Sequence, residues 1–318
     1  MVLFEILTLA ISILILSKSA SLVVENAVKL SSFFGISQMA IGFIFISILT
    51  TLPELSVSVI SSAGGEGTIA AGNVFGSIIA NILLVLGCAG FFYGIEFSKK
   101  GIKDIGIVLM ITTLLSIYII FNSSVHSREL GAIQGWALIL LFFAYLYFVM
   151  RRKVQSNGNE QVEKTEALKA FLSFVACIFL VLISASFVVE SAVKIADAFN
   201  LAKSFIGATI IAIGTSLPEL SIITQAVRKK NYEIALGNAI GANMVNITLV
   251  LGAAAIINPI SVLIPIFSAA MLFSIIANVF LLYVAAVEQK LGKMGGLAFL
   301  AAYAVYLIAI FYLQAGAI

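Results

Sequence analysis

Charge is what this sequence has least of. Only 10% of its 318 residues are Asp, Glu, Lys or Arg, against 62% hydrophobic, and a water-soluble domain of this length could not present so little charge to solvent. Histidine and tryptophan occur once each, cysteine twice and proline four times. One histidine and two cysteines exclude a His/Cys metal cluster and a disulfide framework; Cys88 and Cys177 both fall in apolar stretches and read as packed, reduced thiols. No G-x-x-x-x-G-K-[ST] loop is present, so no nucleotide partner and no ATP-driven step are expected. The net charge of +3 comes from basic residues scattered over loops, with no patch for a nucleic acid. A basic leader and a small-residue cleavage site are also missing, so the first apolar stretch reads as a retained span.

What fills the chain instead is long apolar runs. A helix needs about 20 apolar residues to cross the hydrocarbon of a bilayer. Ten candidate segments fall near 3–28, 38–63, 69–95, 105–121, 132–150, 168–193, 205–227, 233–257, 264–287 and 295–313. The alternation of a membrane barrel is absent, which leaves helices as the backbone solution in lipid. The expected fold class is an all-α membrane protein, and membrane lipid is its first partner. With the N-terminus outside, the cytoplasmic loops collect 14 basic residues, among them Lys99, Lys100, Lys103, Arg228, Lys229, Lys230, Lys290 and Lys293, against three outside, Arg128, Lys194 and Lys203. The positive-inside rule then places the chain in the cell membrane with both termini outside. Lys18 falls inside the first segment and is expected to snorkel; His126 reads as a solvated loop residue and Trp136 as an interfacial anchor.

The chain is written twice. Thr50-Thr51-Leu52-Pro53-Glu54-Leu55-Ser56 returns as Thr215-Ser216-Leu217-Pro218-Glu219-Leu220-Ser221, an offset of 165 residues. The same offset carries Gly72-Asn73 onto Gly237-Asn238 and Asn81 onto Asn246, and residues 19–29 match 184–194 at nine of eleven positions. Five spans per copy is an odd number, so the second copy enters the membrane from the opposite side. The expected architecture is two inverted five-helix repeats with proline-broken helices at the midplane, over 1–150 and 168–318, joined by a cytoplasmic linker at 151–167. Glu25 and its mate Glu190 lie near helix ends and read as interfacial carboxylates.

Each copy places a proline and a glutamate inside an apolar segment, where both are costly unless they line a protected polar site. Two of the four prolines, Pro53 and Pro218, hold this one position. Ser47, Thr50 and Glu54 share a helix face, and Pro53 takes the helical donor from the Leu49 carbonyl. Asn73, Ser77 and Asn81 repeat every four residues as a polar stripe beside Gly72 and Gly76. Hydroxyls, carboxylates and freed carbonyls are the oxygen ligands of hard cations such as Na+ and Ca2+. Glu54 and Glu219 are the only acids placed deep in the membrane; held together there they repel, and desolvation disfavours both charges. A divalent cation removes both problems, and Na+ ions or protons do so in its absence. Mutually exclusive neutralisation of one carboxylate pair is a physical basis for ion exchange.

At these residues the sequence resembles the cation/calcium antiporter superfamily, and within it the compact prokaryotic sodium/calcium exchangers. The resemblance spans nearly the whole chain and rests on the duplicated T-[ST]-L-P-E with G-N-x-x-G-[SA]-x-x-x-N. It implies ten helices in an inverted repeat and four central polar side chains, Glu54, Asn81, Glu219 and Asn246. It further implies sodium ligands among Ser47, Thr50, Thr51 and Ser77 in the first half and Ala212, Thr215 and Ser216 in the second, partly through main-chain carbonyls. The transported ions would be Ca2+ and Na+, with no cofactor, no enzymatic activity and no obligatory protein partner. Ala242 stands where the pattern of Ser77 calls for serine, and Leu49 stands where the second copy has Gly214; both bear on the number of sodium ions moved. The proton-coupled branch tends to carry histidine beside the motif glutamate, and here Leu55 and Leu220 occupy that position. A calcium/proton antiporter using the same glutamates is the alternative. A passive cation channel would also want oxygen rings, and an intramembrane hydrolase would want a nucleophile and base that do not accompany the glutamates.

Overall fold

The computed structural model describes residues 2–125, 129–151, 163–198, 212–261 and 265–315. Apolar runs become helices because only internal hydrogen bonding satisfies a backbone in lipid. In chain order these are α1 (Val2–Phe34), α2 (Gln38–Ile41), α3 (Ser47–Thr50), α4 (Leu52–Ala63), α5 (Gly67–Ile79) and α6 (Gly87–Phe92). Next come α7 (Lys99–Val125), α8 (Ala132–Arg151), α9 (Lys164–Ala198), α10 (Ala212–Thr215), α11 (Leu217–Arg228), α12 (Tyr232–Val245), α13 (Leu251–Ile257), α14 (Pro265–Tyr283) and α15 (Lys293–Ala315). Wider π turns at Gly42–Ile46, Ala80–Leu86, Asn246–Val250 and Val284–Glu288 carry the helices through, and such turns often mark functional positions.

Eight of the described helices are long and apolar enough to cross a membrane, and a ninth span is the pair Gln38–Thr50 and Leu52–Ala63, bent by 44°. The protein is a multi-pass helical membrane protein. The tenth expected segment, 205–227, lies partly outside the described residues, and so do His126, Arg128, Lys203 and most of the linker. α9 begins at Lys164.

Burial separates centre from periphery. The spans built from α5 with α6 and from α12 with α13 are each 78% buried, against 17% for α8, whose outer face shows Trp136, Leu140 and Phe143 to the surroundings. The central pair therefore carries the polar stripes, and the outer helices meet lipid. The longest helices, α1 with 33 residues and α9 with 35, exceed the ~20 residues needed to span and pack along each other in opposite directions. Asn26 Nδ2 donates to Ser173 Oγ at 2.9 Å, far along α1 and early in α9, while Glu5 at the start of α1 pairs with Lys194 near the end of α9 at 3.5 Å.

Two short ladders qualify the all-helical expectation. β1 (Ile95–Glu96) pairs antiparallel with β4 (Lys290–Leu291), in register Ile95 with Leu291, and β2 (Glu129–Leu130) pairs with β3 (Ile260–Ser261), in register Leu130 with Ile260. Each ladder ties a loop of one half to a loop of the other. Strand pairing between residues far apart in sequence leaves no periodic signal in two-residue elements.

Candidate cation site

The repeated sequence makes a repeated break. Thr51 leaves α3 at φ −85°, ψ 6°, and Ser216 leaves α10 at φ −92°, ψ 6°. A proline follows two residues later in each case, at the start of α4 and of α11, where its missing N–H costs no helical bond. Leu55 and Leu220 close the new turns by donating to the Thr51 and Ser216 carbonyls at 3.0 and 2.9 Å. Glu54 and Glu219 thus sit in the first turns of α4 and α11, where the positive end of the helix dipole favours a carboxylate.

The halves are interleaved. The Glu54 helix α4 packs against the π turn that starts at Asn246, and the Glu219 helix α11 packs against the π turn that holds Asn81. Glu54 and Glu219 are each 1% exposed, and Asn81, Asn246, Ser47, Thr50, Thr51, Ser77 and Ser216 are also buried. Thr215 is half-buried and engaged in an interaction of its own. Ala212 opens α10, but its side chain lies outside the described residues.

Hydrogen bonding sorts these groups. Thr51 Oγ1 donates to the Ser47 carbonyl at 2.8 Å, with the Ile48 carbonyl at 3.3 Å, and Ser47 Oγ donates to the Phe43 carbonyl. Their hydrogens serve the broken backbone and their lone pairs remain. Asn73 Nδ2 braces the break from outside, donating to the Glu54 carbonyl at 3.0 Å and to Ser58 Oγ at 2.9 Å. Glu54 Oε2, both Glu219 carboxylate oxygens, Asn81 Oδ1, Asn246 Oδ1 and Ser216 Oγ are buried with no hydrogen-bond partner. Each such atom costs about 1–3 kcal/mol if left unmade. Buried acceptors, two carboxylates among them, are the groups a doubly charged cation takes as ligands and counter-charge. The buried amide nitrogens of Asn238, Asn243 and Asn246 are unpartnered as well, a donor set suited to water. Among the described residues no group of three His, Cys, Asp or Glu side chains gathers.

Comparison with known proteins agrees with this chemistry. Residues 4–151 and 169–312 match the family described as "Sodium/calcium exchanger protein". The chain belongs to the sodium/calcium exchanger protein family. It is 31% identical over 263 residues to the inner membrane protein YrbG of Escherichia coli (strain K12), covering 79% of each chain. It is 27% identical over 352 aligned positions to the sodium/calcium exchanger MaX1 of Methanosarcina acetivorans, covering 98% of this chain and 100% of that one. Among solved structures, the sodium-calcium exchanger NCX_Mj soaked with 10 mM Na+ and zero Ca2+ matches at a TM-score of 0.82 and 26% identity, covering 97% of this chain and 99% of that one.

Within this exchanger-family chain two further asparagines bond site candidates: Asn238, the mate of Asn73 in the repeated motif, and Asn243, which motif reasoning had not singled out. Asn238 Oδ1 lies 3.5 Å from Thr50 Oγ1, and Asn243 Oδ1 accepts from Asn81 Nδ2 at 3.2 Å. The signal for Asn243 was its uniqueness, since its mate at the 165-residue offset is Ile78. A third acid, Glu5 in the first turn of α1, is also buried, at 7% exposed. Glu5 differs in having a lysine, Lys194, which also pairs with Glu190 at 2.8 Å. Glu25 pairs with Lys229 at 2.6 Å, and Lys229 Nζ donates to the Ser21 carbonyl at 2.8 Å. Glu25 and Glu190 are thus exposed, paired carboxylates, each about two turns inside its helix because α1 runs on to Phe34 and α9 to Ala198, and Lys18 is exposed on α1.

Proposed function

We propose that this protein is a secondary antiporter that exchanges Na+ for Ca2+ across the cell membrane by alternating access. The observation that carries the reading is the buried pair Glu54 and Glu219, one from each half, on helices that pack against the π turns bearing Asn246 and Asn81, with acceptor oxygens of all four left unpartnered. Ca2+ and Na+ are its substrates, and both neutralise the same pair, so occupancy by one excludes the other. Asn81 and Asn246 complete the central set; Ser47, Thr50, Thr51 and Ser77, with Ala212, Thr215 and Ser216, hold sodium through side-chain or main-chain oxygens. Family membership and the likeness to named sodium/calcium exchangers support this assignment.

The same reading includes ten helices in two inverted repeats, 1–150 and 168–318, with a cytoplasmic linker at 151–167 and both termini outside. Supporting it, Gly65 and Lys230, mates at the 165-residue offset, both take positive φ, at 86° and 59°. The turns around them are alike: Glu66 N bonds the Ser61 carbonyl and Asn231 N the Ala226 carbonyl, both at 2.8 Å. β1 and β3 also stand 165 residues apart, and each pairs with a strand of the other half.

The test is 45Ca uptake into proteoliposomes loaded with Na+, K+ or a proton gradient alone. Uptake that requires internal Na+ supports exchange. Uptake driven by the pH gradient alone would replace sodium by protons, and uptake with no counter-ion at all would make the protein a passive conductor.

A further inference from the structure

Asn243 sits fully buried on α12, in contact with the site and without a polar mate. Its equivalent in the first half is Ile78, also buried, where apolar packing is complete. A carboxamide placed where the other copy has an isoleucine must meet a need that only one half has. The preceding residue, Ala242, is the position where the first half supplies Ser77, so the second half exchanges a hydroxyl for nothing and gains an amide one residue on.

The bond it makes is directional. Asn81 Nδ2 donates to Asn243 Oδ1 at 3.2 Å, and Asn81 Oδ1 is left buried with no partner. A carboxamide has a donor end and an acceptor end of nearly equal size. Turned the other way, Asn81 would present its NH2 to a cation, which is repulsive. We propose that Asn243 is a positioning residue for the cation site: its oxygen holds the Asn81 amide so that the acceptor end is offered to the transported ion. It does so across the repeat boundary, from α12 to the π turn Ala80–Leu86, which pack against each other. The remaining Asn243 Nδ2, buried and unpartnered, is free to bind water in the same cluster. This inference rests on the assignment of Asn81 as a cation ligand made above.

The experiment measures Ca2+ binding in detergent by calorimetry, and Na+-dependent 45Ca uptake, for the wild type, N81A, N243A, N243S and N81A/N243A. N243A should weaken Ca2+ binding by about 10–100-fold, the range for loss of a group that orients a metal ligand, and should raise the KM for Ca2+ while leaving the maximal rate within about twofold. N243S, which keeps a small acceptor oxygen, should recover part of the affinity and stands in if N243A fails to fold. In the N81A background N243A should add less than about twofold, because coupled neighbours do not add. Unchanged binding in N243A, or effects that multiply in the double variant, would overturn the role of Asn243. Unchanged binding in N81A would instead remove Asn81 from the site, and the parent assignment with it.

Discussion

Glu54 and Glu219 are the residues on which we propose transport turns, and each can be neutralised by one atom's change. E54Q and E219Q should each abolish calcium uptake while leaving the protein folded, since the amide fills the same space and sheds a buried charge that has no protein cation beside it. Uptake in proteoliposomes together with the melting temperature checks both halves of that expectation; retained transport in either variant removes the shared-site assignment. Ala242 is a second residue-level case. It is fully buried where Ser77 stands in the other half, and A242S should raise the apparent affinity for Na+ a few-fold by restoring an oxygen, read from the Na+ dependence of 45Ca uptake. Lys230 tests backbone strain and not transport. It holds φ at 59° where its mate Gly65 holds 86°, a conformation costing a non-glycine residue about 1–2 kcal/mol. Glycine there loses some of that advantage to its unfolded-state freedom, so K230G should stabilise by roughly 0.5–1 kcal/mol in denaturation by heat, with exchange unchanged.

At the scale of elements, the decisive contact is between the broken second span and α12. A Cβ on Gly42 would meet the Ile234 carbonyl at 2.6 Å, one on Gly241 would meet Ser47 Oγ at 2.8 Å and the Phe43 Cα at 2.9 Å, and one on Gly237 would run into the Met39 carbonyl. Backbone meets backbone here, the mode by which small residues bring membrane helices together. The close approach seats Ser47 and Thr50 against the second half. G241A should therefore destabilise by about 1–3 kcal/mol, the usual range for overpacking, and weaken cation binding as well, because the neighbour displaced first is the Ser47 hydroxyl. Thermal unfolding with and without Ca2+ separates the two effects. The glycines were legible in the sequence as a packing motif, but their partners were not: nothing in Gly237-Asn238-Ala239-Ile240-Gly241 names Met39, Phe43 or Ser47 as the surface they meet.

For the whole molecule, the spread of basic residues predicts an orientation. If the basic loops face the cytoplasm, a cysteine at Ile133 should react with a membrane-impermeant maleimide added outside intact cells, and one at Lys99 should not, both in a background lacking Cys88 and Cys177. Reversed labelling would invert the assigned topology. The sequence by itself determined the membrane class, the two-fold repetition, and the pairing of Glu54 with Glu219, because low charge, a fixed offset and an acid beside a proline in an apolar run each have few physical explanations. It also pointed to Asn81 and Asn246, which the tertiary structure finds buried on the π turns facing α11 and α4. Only the tertiary structure decided that Asn243 accepts from Asn81, that Asn238 reaches Thr50, that Glu5 is buried against Lys194, and that β1 to β4 stitch one half to the other. Those contacts join residues 130 to 196 positions apart. Local patterns report which face of a helix is polar; which distant face it meets is set by how whole helices pack, and that is a property of the assembled chain.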